Sequence, residues 1–111
     1  KVLIVGNHDY EILKSPFFDK SLFKEICDYK EINYQGQVCV LMHYPIKSFK
    51  NMDKPNKSWV HLFGHIHSME YEIPKHSFNV GVDVNNFAPV NINIAIEKAL
   101  LNQGGKINGI N

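Results

Sequence analysis

No apolar stretch in this chain approaches the ~20 residues that a helix needs to cross a bilayer, so no membrane-spanning helix is expected within it. Cysteine is nearly absent. Cys27 and Cys39 lie in apolar, strand-like surroundings without metal-ligand spacing, and two thiols in 111 residues do not make a disulfide scaffold. That usage fits a reduced, cytoplasmic setting, with a signal peptide upstream of Lys1 left open as an alternative. Charge of one sign is lacking too: a net charge of +1 gives no bulk electrostatic case for a membrane surface and lends no support to nucleic acid as a partner. There is no internal repeat and no low-complexity tract. With 44% hydrophobic and 21% charged residues, the chain falls in the range of a single globular domain.

What is present is a set of three histidine-bearing blocks: Gly6-Asn7-His8-Asp9, His43-Tyr44-Pro45 and Gly64-His65-Ile66-His67. Each follows a short apolar run, at residues 1–5, 38–42 and 59–63, and so stands where a strand should end. In α/β sheets, ligand-binding residues gather in loops beyond the carboxyl ends of the strands, because those loops converge on one reachable rim. Asn7, His43, His65 and His67 are therefore expected to face a common hollow. The two-residue spacing of His65 and His67 lets both project to one side, with Gly64 expected to let the backbone turn. Imidazole suits Zn, Fe, Ni or Mn and an amide oxygen suits harder ions, so the mixed set favours a hydrolytic divalent metal.

In this order the blocks resemble the last three of five motifs of the calcineurin-like metallophosphoesterases. The wider phrasing around His43 (Leu41 to Ile46), around His65 (His61 to Ser68) and at Asn79-Val80-Gly81-Val82-Asp83-Val84 is similar to the small single-domain bacterial and phage branch of that family. The resemblance covers roughly residues 1–100. It implies a four-layer α/β/β/α sandwich of two mixed sheets with helices outside, and a phosphatase or phosphodiesterase that works by two-metal activation of water. It also implies roles. Asn7, His43 and His65 would hold one ion and His67 its neighbour; His8 would contact the phosphate and assist the leaving group, with Asp9 orienting it. A carboxylate beside an imidazole fixes the ring and suits it to deliver positive charge or a proton to a leaving oxygen.

The family's first two motifs, Asp-x-His and Gly-Asp, lie upstream of the Gly-Asn-His-Asp block, and only five residues precede Gly6 here. The expectation is a chain cut from a longer protein: residues 1–103 as the C-terminal part of one metallophosphoesterase domain, and residues 104–111 as a flexible tail. Three imidazoles and one amide carry no charge to offset two divalent ions, so this chain alone is expected to bind at most one metal and to hydrolyse poorly. Loss of the first half would also expose sheet faces and favour self-association. The alternative is a non-catalytic metal-binding or interaction module derived from the same fold. A further alternative is a separate polypeptide that completes the site in trans.

The patterning predicts a mixed α+β chain. Residues 11–24 are read as a short amphipathic helix starting near Ser15-Pro16, with Phe18, Leu22 and Ile26 at four-residue spacing. Residues 29–34 and 37–42 read as a hairpin around Gln35-Gly36, delivering His43 to the rim. Residues 47–58 read as a solvated loop, 77–84 as a strand, and 91–102 as a helix with Ile92, Ile96, Ala99 and Leu100 on one face. Gly104-Gly105-Lys106-Ile107-Asn108-Gly109 is expected to fray. His61 and His76 are expected to be structural or surface residues, and Asp83 a turn residue rather than an acceptor for a ligand histidine. Lys47, Lys50, Lys54 and Lys57 are expected to be solvated rather than phosphate-steering, and Phe17, Phe18 and Phe23 to pack a core.

Overall fold

The computed structural model describes residues 1–68 and 71–104, a mixed α+β arrangement of two small sheets and two helices. β1 (Val2–Ile4) and β2 (Glu25–Cys27) pair in parallel as a two-stranded sheet. The larger sheet has the order β3-β4-β5-β6, with β3 (Tyr29–Tyr34) antiparallel to β4 (Gln37–Met42). β5 (Val60–Phe63) and β6 (Ser77–Asn79) then follow in parallel with β4. Because β4, β5 and β6 run the same way, their carboxyl ends share one rim.

The hairpin falls at the expected residues. Gln35 and Gly36 both take positive φ, 50° and 88°, which is what a tight two-residue turn needs to match the twist of its strands. Gly36 N–H is further held by the Asn33 side chain at 2.8 Å. β3 alternates exposed and half-buried residues, as a strand with one wet face should, whereas β5 and β6 are buried throughout.

α2 (Ile92–Leu101) also forms as expected, with the Asn91 side chain capping Asn93 N–H at 2.8 Å. Its packing differs in detail. Ala95 and Ala99 are the buried residues, Ile92 and Ile96 are half-buried, and Leu100 is exposed. Small side chains let the helix approach closely enough to close a core of Cys39, Val60, Leu62 and Phe78. Both cysteines are free, and burial pushes the Cys39 thiol up to about 11.

Three expectations need correction. Residues 11–24 do not form one helix: α1 (Tyr10–Lys14) ends before Ser15, and only a short 3-10 turn at Lys20–Leu22 follows. Ile26 lies in β2, opposite Leu3, so the four-residue spacing reflects strand pairing rather than a helical face. Phe17 is 94% exposed, while the Phe18 and Phe23 rings stack on each other with centroids 5.9 Å apart. The strand expected over 77–84 stops at Asn79, because the Asn79 side chain accepts Gly81 N–H and turns the chain into a 3-10 turn at Val82–Val84. Of the expected flexible tail, residues 105–111 lie outside the described residues.

A groove of about 400 Å³ is lined by Ile4, Ile32, Leu41, Leu62, Val80 and Ile92, with His43 also on its wall. Its walls are mainly apolar side chains. No helix among the described residues is long and apolar enough to cross a membrane.

Candidate metal centre

His43 comes directly after β4 and Gly64 directly after β5, and Gly64 N–H bonds the His43 carbonyl at 2.9 Å. The parallel register thus sets two of the histidine blocks side by side. The first block reaches them from β1, and the contact depends on a missing side chain: a Cβ on Gly6 would lie 2.9 Å from His43 Nδ1 and 3.0 Å from its Cε1. Glycine at position 6 is what lets the imidazole rest against the β1 chain.

The ring is thereby aimed at Asn7 and His65. His43 Nε2 lies 2.8 Å from Asn7 Oδ1 and 3.2 Å from His65 Nδ1, and His65 Nδ1 lies 3.2 Å from Asn7 Oδ1. Three atoms that can each donate a lone pair therefore form a triangle with edges near the ~3 Å that separates neighbouring donors at ~2.0–2.2 Å from one ion. The set fits a divalent cation in both donor chemistry and spacing. It contains two imidazoles and one amide and no carboxylate, and among the described residues no group of three or more His, Cys, Asp or Glu side chains could hold an ion.

Burial holds the His43 imidazole below its ordinary pKa, the neighbouring His65 adds to this, and Asp9 opposes it. A ring kept neutral keeps its lone pair for a ligand. Tyr44 packs edge-on against both rings, its centroid 5.0 Å from His43 and 4.7 Å from His65, and helps fix their orientation.

The third block departs from its expected geometry. Gly64 is not the residue that turns; His65 takes φ 64°, and Ile66 N–H bonds back to the Gly64 carbonyl at 2.6 Å. A side-chain-bearing residue in that region costs about 1–2 kcal/mol, a strain that concentrates at functional positions. A Cβ on Gly64 would lie 3.6 Å from His43 Nδ1, an ordinary contact, so neither space nor φ requires glycine there. His67 does not join the triangle. It is largely exposed, and its Nδ1 contacts Asp83 Oδ2. Asp83, expected as a turn residue, is the acceptor on a histidine of the motif.

His8 is exposed, and among the described residues no hydrogen bond joins it to Asp9. The Asp9 carboxylate instead accepts Gly6 N–H at 2.7 Å and braces the loop that carries Asn7. Of the six residues expected at the site, then, Asn7, His43 and His65 converge, His67 turns to Asp83, Asp9 serves the backbone, and His8 stands exposed beside Asn7.

No family model, curated protein or solved structure matches this chain. The site stands on its geometry.

Two further residues shape the site. The spatial role of Gly6 has no sequence signal beyond the glycine itself. His61, fully buried on β5, is ringed by polar main chain: its Nδ1 lies 2.9 Å from the Val40 carbonyl, and its Nε2 accepts Ile46 N–H at 2.9 Å with the Tyr44 carbonyl 3.2 Å away. It was expected to be structural, and its partners lie in the segment that follows His43.

Proposed function

We propose that this chain belongs to a metal-dependent phosphoester hydrolase, a phosphatase or phosphodiesterase, and that Asn7, His43 and His65 hold one divalent ion. The observation that carries the reading is the convergence of Asn7 Oδ1, His43 Nε2 and His65 Nδ1 within 3.2 Å of one another. Mn, Fe, Zn and Ni all accept such a set. On this reading the two sheets belong to a four-layer α/β/β/α sandwich, and His67, with Asp83 on its Nδ1, would help hold a second ion. When bound, such ions would supply Lewis acidity toward a phosphoryl oxygen and toward water.

The chain's own groups divide the remaining work. The half-buried rings of His43 and His65, wedged by Tyr44, keep donors fixed. Asp9 holds the Asn7 loop through Gly6 N–H. His8, exposed at the same loop, is free to reach a substrate and give positive charge or a proton to the leaving oxygen. The partner is a phosphoester.

The absence of a carboxylate from the converging set favours a second reading, a non-catalytic module that binds one ion. Metal content and hydrolysis of a chromogenic phosphodiester separate the two. His65→Ala is expected to deplete the ion, and His8→Ala to leave it in place while slowing turnover. Equal metal content and equal rates in both variants would remove the assignment. Retained binding with no turnover at any metal loading would leave the module.

A further inference from the structure

The turn that carries His65 and His67 is held from below by one side chain. Asn79 is the last residue of β6, opposite Phe63 in the parallel register, and it is fully buried. Its Nδ2 donates to the Ile66 carbonyl at 2.7 Å, between the two histidines. Its Oδ1 accepts Gly81 N–H at 2.8 Å, and its main-chain carbonyl accepts from Asn85 Nδ2 at 2.8 Å. A single amide thus ties the histidine turn to the loop that brings Asp83 onto His67. Both ends of the tie matter, because the left-handed backbone at His65 is uncommon for a residue that carries a side chain.

We propose that Asn79 is a positioning residue that sets the orientation of the His65 and His67 rings before any ion arrives. The idea rests on the reading of these histidines as ligands, but the orientation itself is testable without metal. A donor locked in sheet register outside the ligand set is the kind of support that governs metal affinity through ring orientation. A purely structural Asn79 would lower stability and leave the affinity of folded molecules unchanged.

The test uses Asn79→Ser, too short to reach the Ile66 carbonyl, and Asn79→Asp, which keeps the acceptor for Gly81 N–H and loses the donor. Ala99→Gly, on the buried face of α2, serves as a comparator that weakens the fold elsewhere. Metal-free imidazole ¹⁵N resonances and Co(II) titration followed by visible absorption are measured on each chain where circular dichroism shows it folded. The expected result is shifted His65 and His67 resonances and about 10–100-fold weaker Co(II) binding in the Asn79 variants, with the comparator like the parent. Parent-like resonances with parent-like affinity in Asn79→Ser would overturn the proposal.

Should neither Asn79 variant fold, the parent decides: a scalar coupling from Asn79 Nδ2 to the Ile66 carbonyl carbon supports the tie, and its absence with rapid exchange of the Asn79 amide protons overturns it. If the parent binds no Co(II) while the metal-free resonances respond to the Asn79 changes, the metal reading falls and the positioning role stands.

Discussion

The rim and the sheet interior of this protein use the same side chain in opposite ways. At the rim, His43 and His65 turn ring nitrogens toward each other and toward Asn7, with no main-chain carbonyl among the described residues to receive them. In the interior, His61 and His76 pair theirs with main chain: His61 Nδ1 with the Val40 carbonyl, His61 Nε2 accepting Ile46 N–H, and His76 Nδ1 with the Met52 carbonyl at 2.6 Å. Buried polar groups must be paired, so an interior histidine is stable only when its partners saturate it. The rim histidines are paired instead with each other and with Asn7. Saturation by backbone marks the structural histidine, and mutual convergence is what the proposed ligand role of His43 and His65 rests on.

The sharpest way to break that contrast is to remove one histidine from each region. His61→Ala should cost about 3 kcal/mol or more, because it opens a cavity and strips partners from the Ile46 N–H and the Val40 carbonyl. His65→Gly, by relieving a left-handed residue, should instead raise metal-free stability by about 1 kcal/mol. Denaturant midpoints of the two variants check both signs, and a loss in each would erase the distinction.

Metal affinity should respond instead to changes at the rim. His65→Ala should weaken Co(II) or Zn(II) binding by more than the ~10–100-fold that loss of an outer partner costs. Gly6→Ala, whose new methyl would press on His43 Nδ1, should weaken it too, with a stability loss of about 1–3 kcal/mol from overpacking. Isothermal titration reads both, and unchanged affinity in Gly6→Ala would show that the His43 ring does not depend on that close approach.

A pH series gives a smaller effect with a definite sign. Burial holds His61 below its ordinary value of 6.5, against the opposing pull of its carbonyl partners Val40 and Tyr44. A histidine with a depressed folded pKa takes its proton first in the unfolded chain, so its contribution is complete above about pH 6.5 and is lost as pH falls below that. Thermal melts from pH 7.5 to 5 should show a decline that flattens in His61→Gln. A decline of equal slope in that variant would place its origin elsewhere. The smallest change is expected from His8→Ala, exposed and without a bonded partner among the described residues, at no more than about 0.5 kcal/mol.

Much of the scaffold could be read from local chemistry. The Gln35-Gly36 turn, the alternation along β3 and the Asn91 cap are determined by neighbours a few residues away, so the hairpin and α2 fall where expected. The misread segment, residues 11–24, failed for a related reason: Ile26 carries a spacing that suits a helix, yet its burial comes from pairing with Leu3 more than twenty residues earlier. Local periodicity cannot register a partner so distant.

The site divides along the same line. Sequence alone determined the donor types and their places at strand ends, because glycine, asparagine and histidine in those blocks follow apolar runs that must form strands. Only the tertiary structure decided that Asn7, His43 and His65 meet, that Gly6 makes room for a ring, that the left-handed residue is His65 rather than Gly64, and that Asp9 turns to the backbone while Asp83 receives His67. Each of those outcomes depends on which strands lie side by side, and that pairing is set by burial across the whole chain.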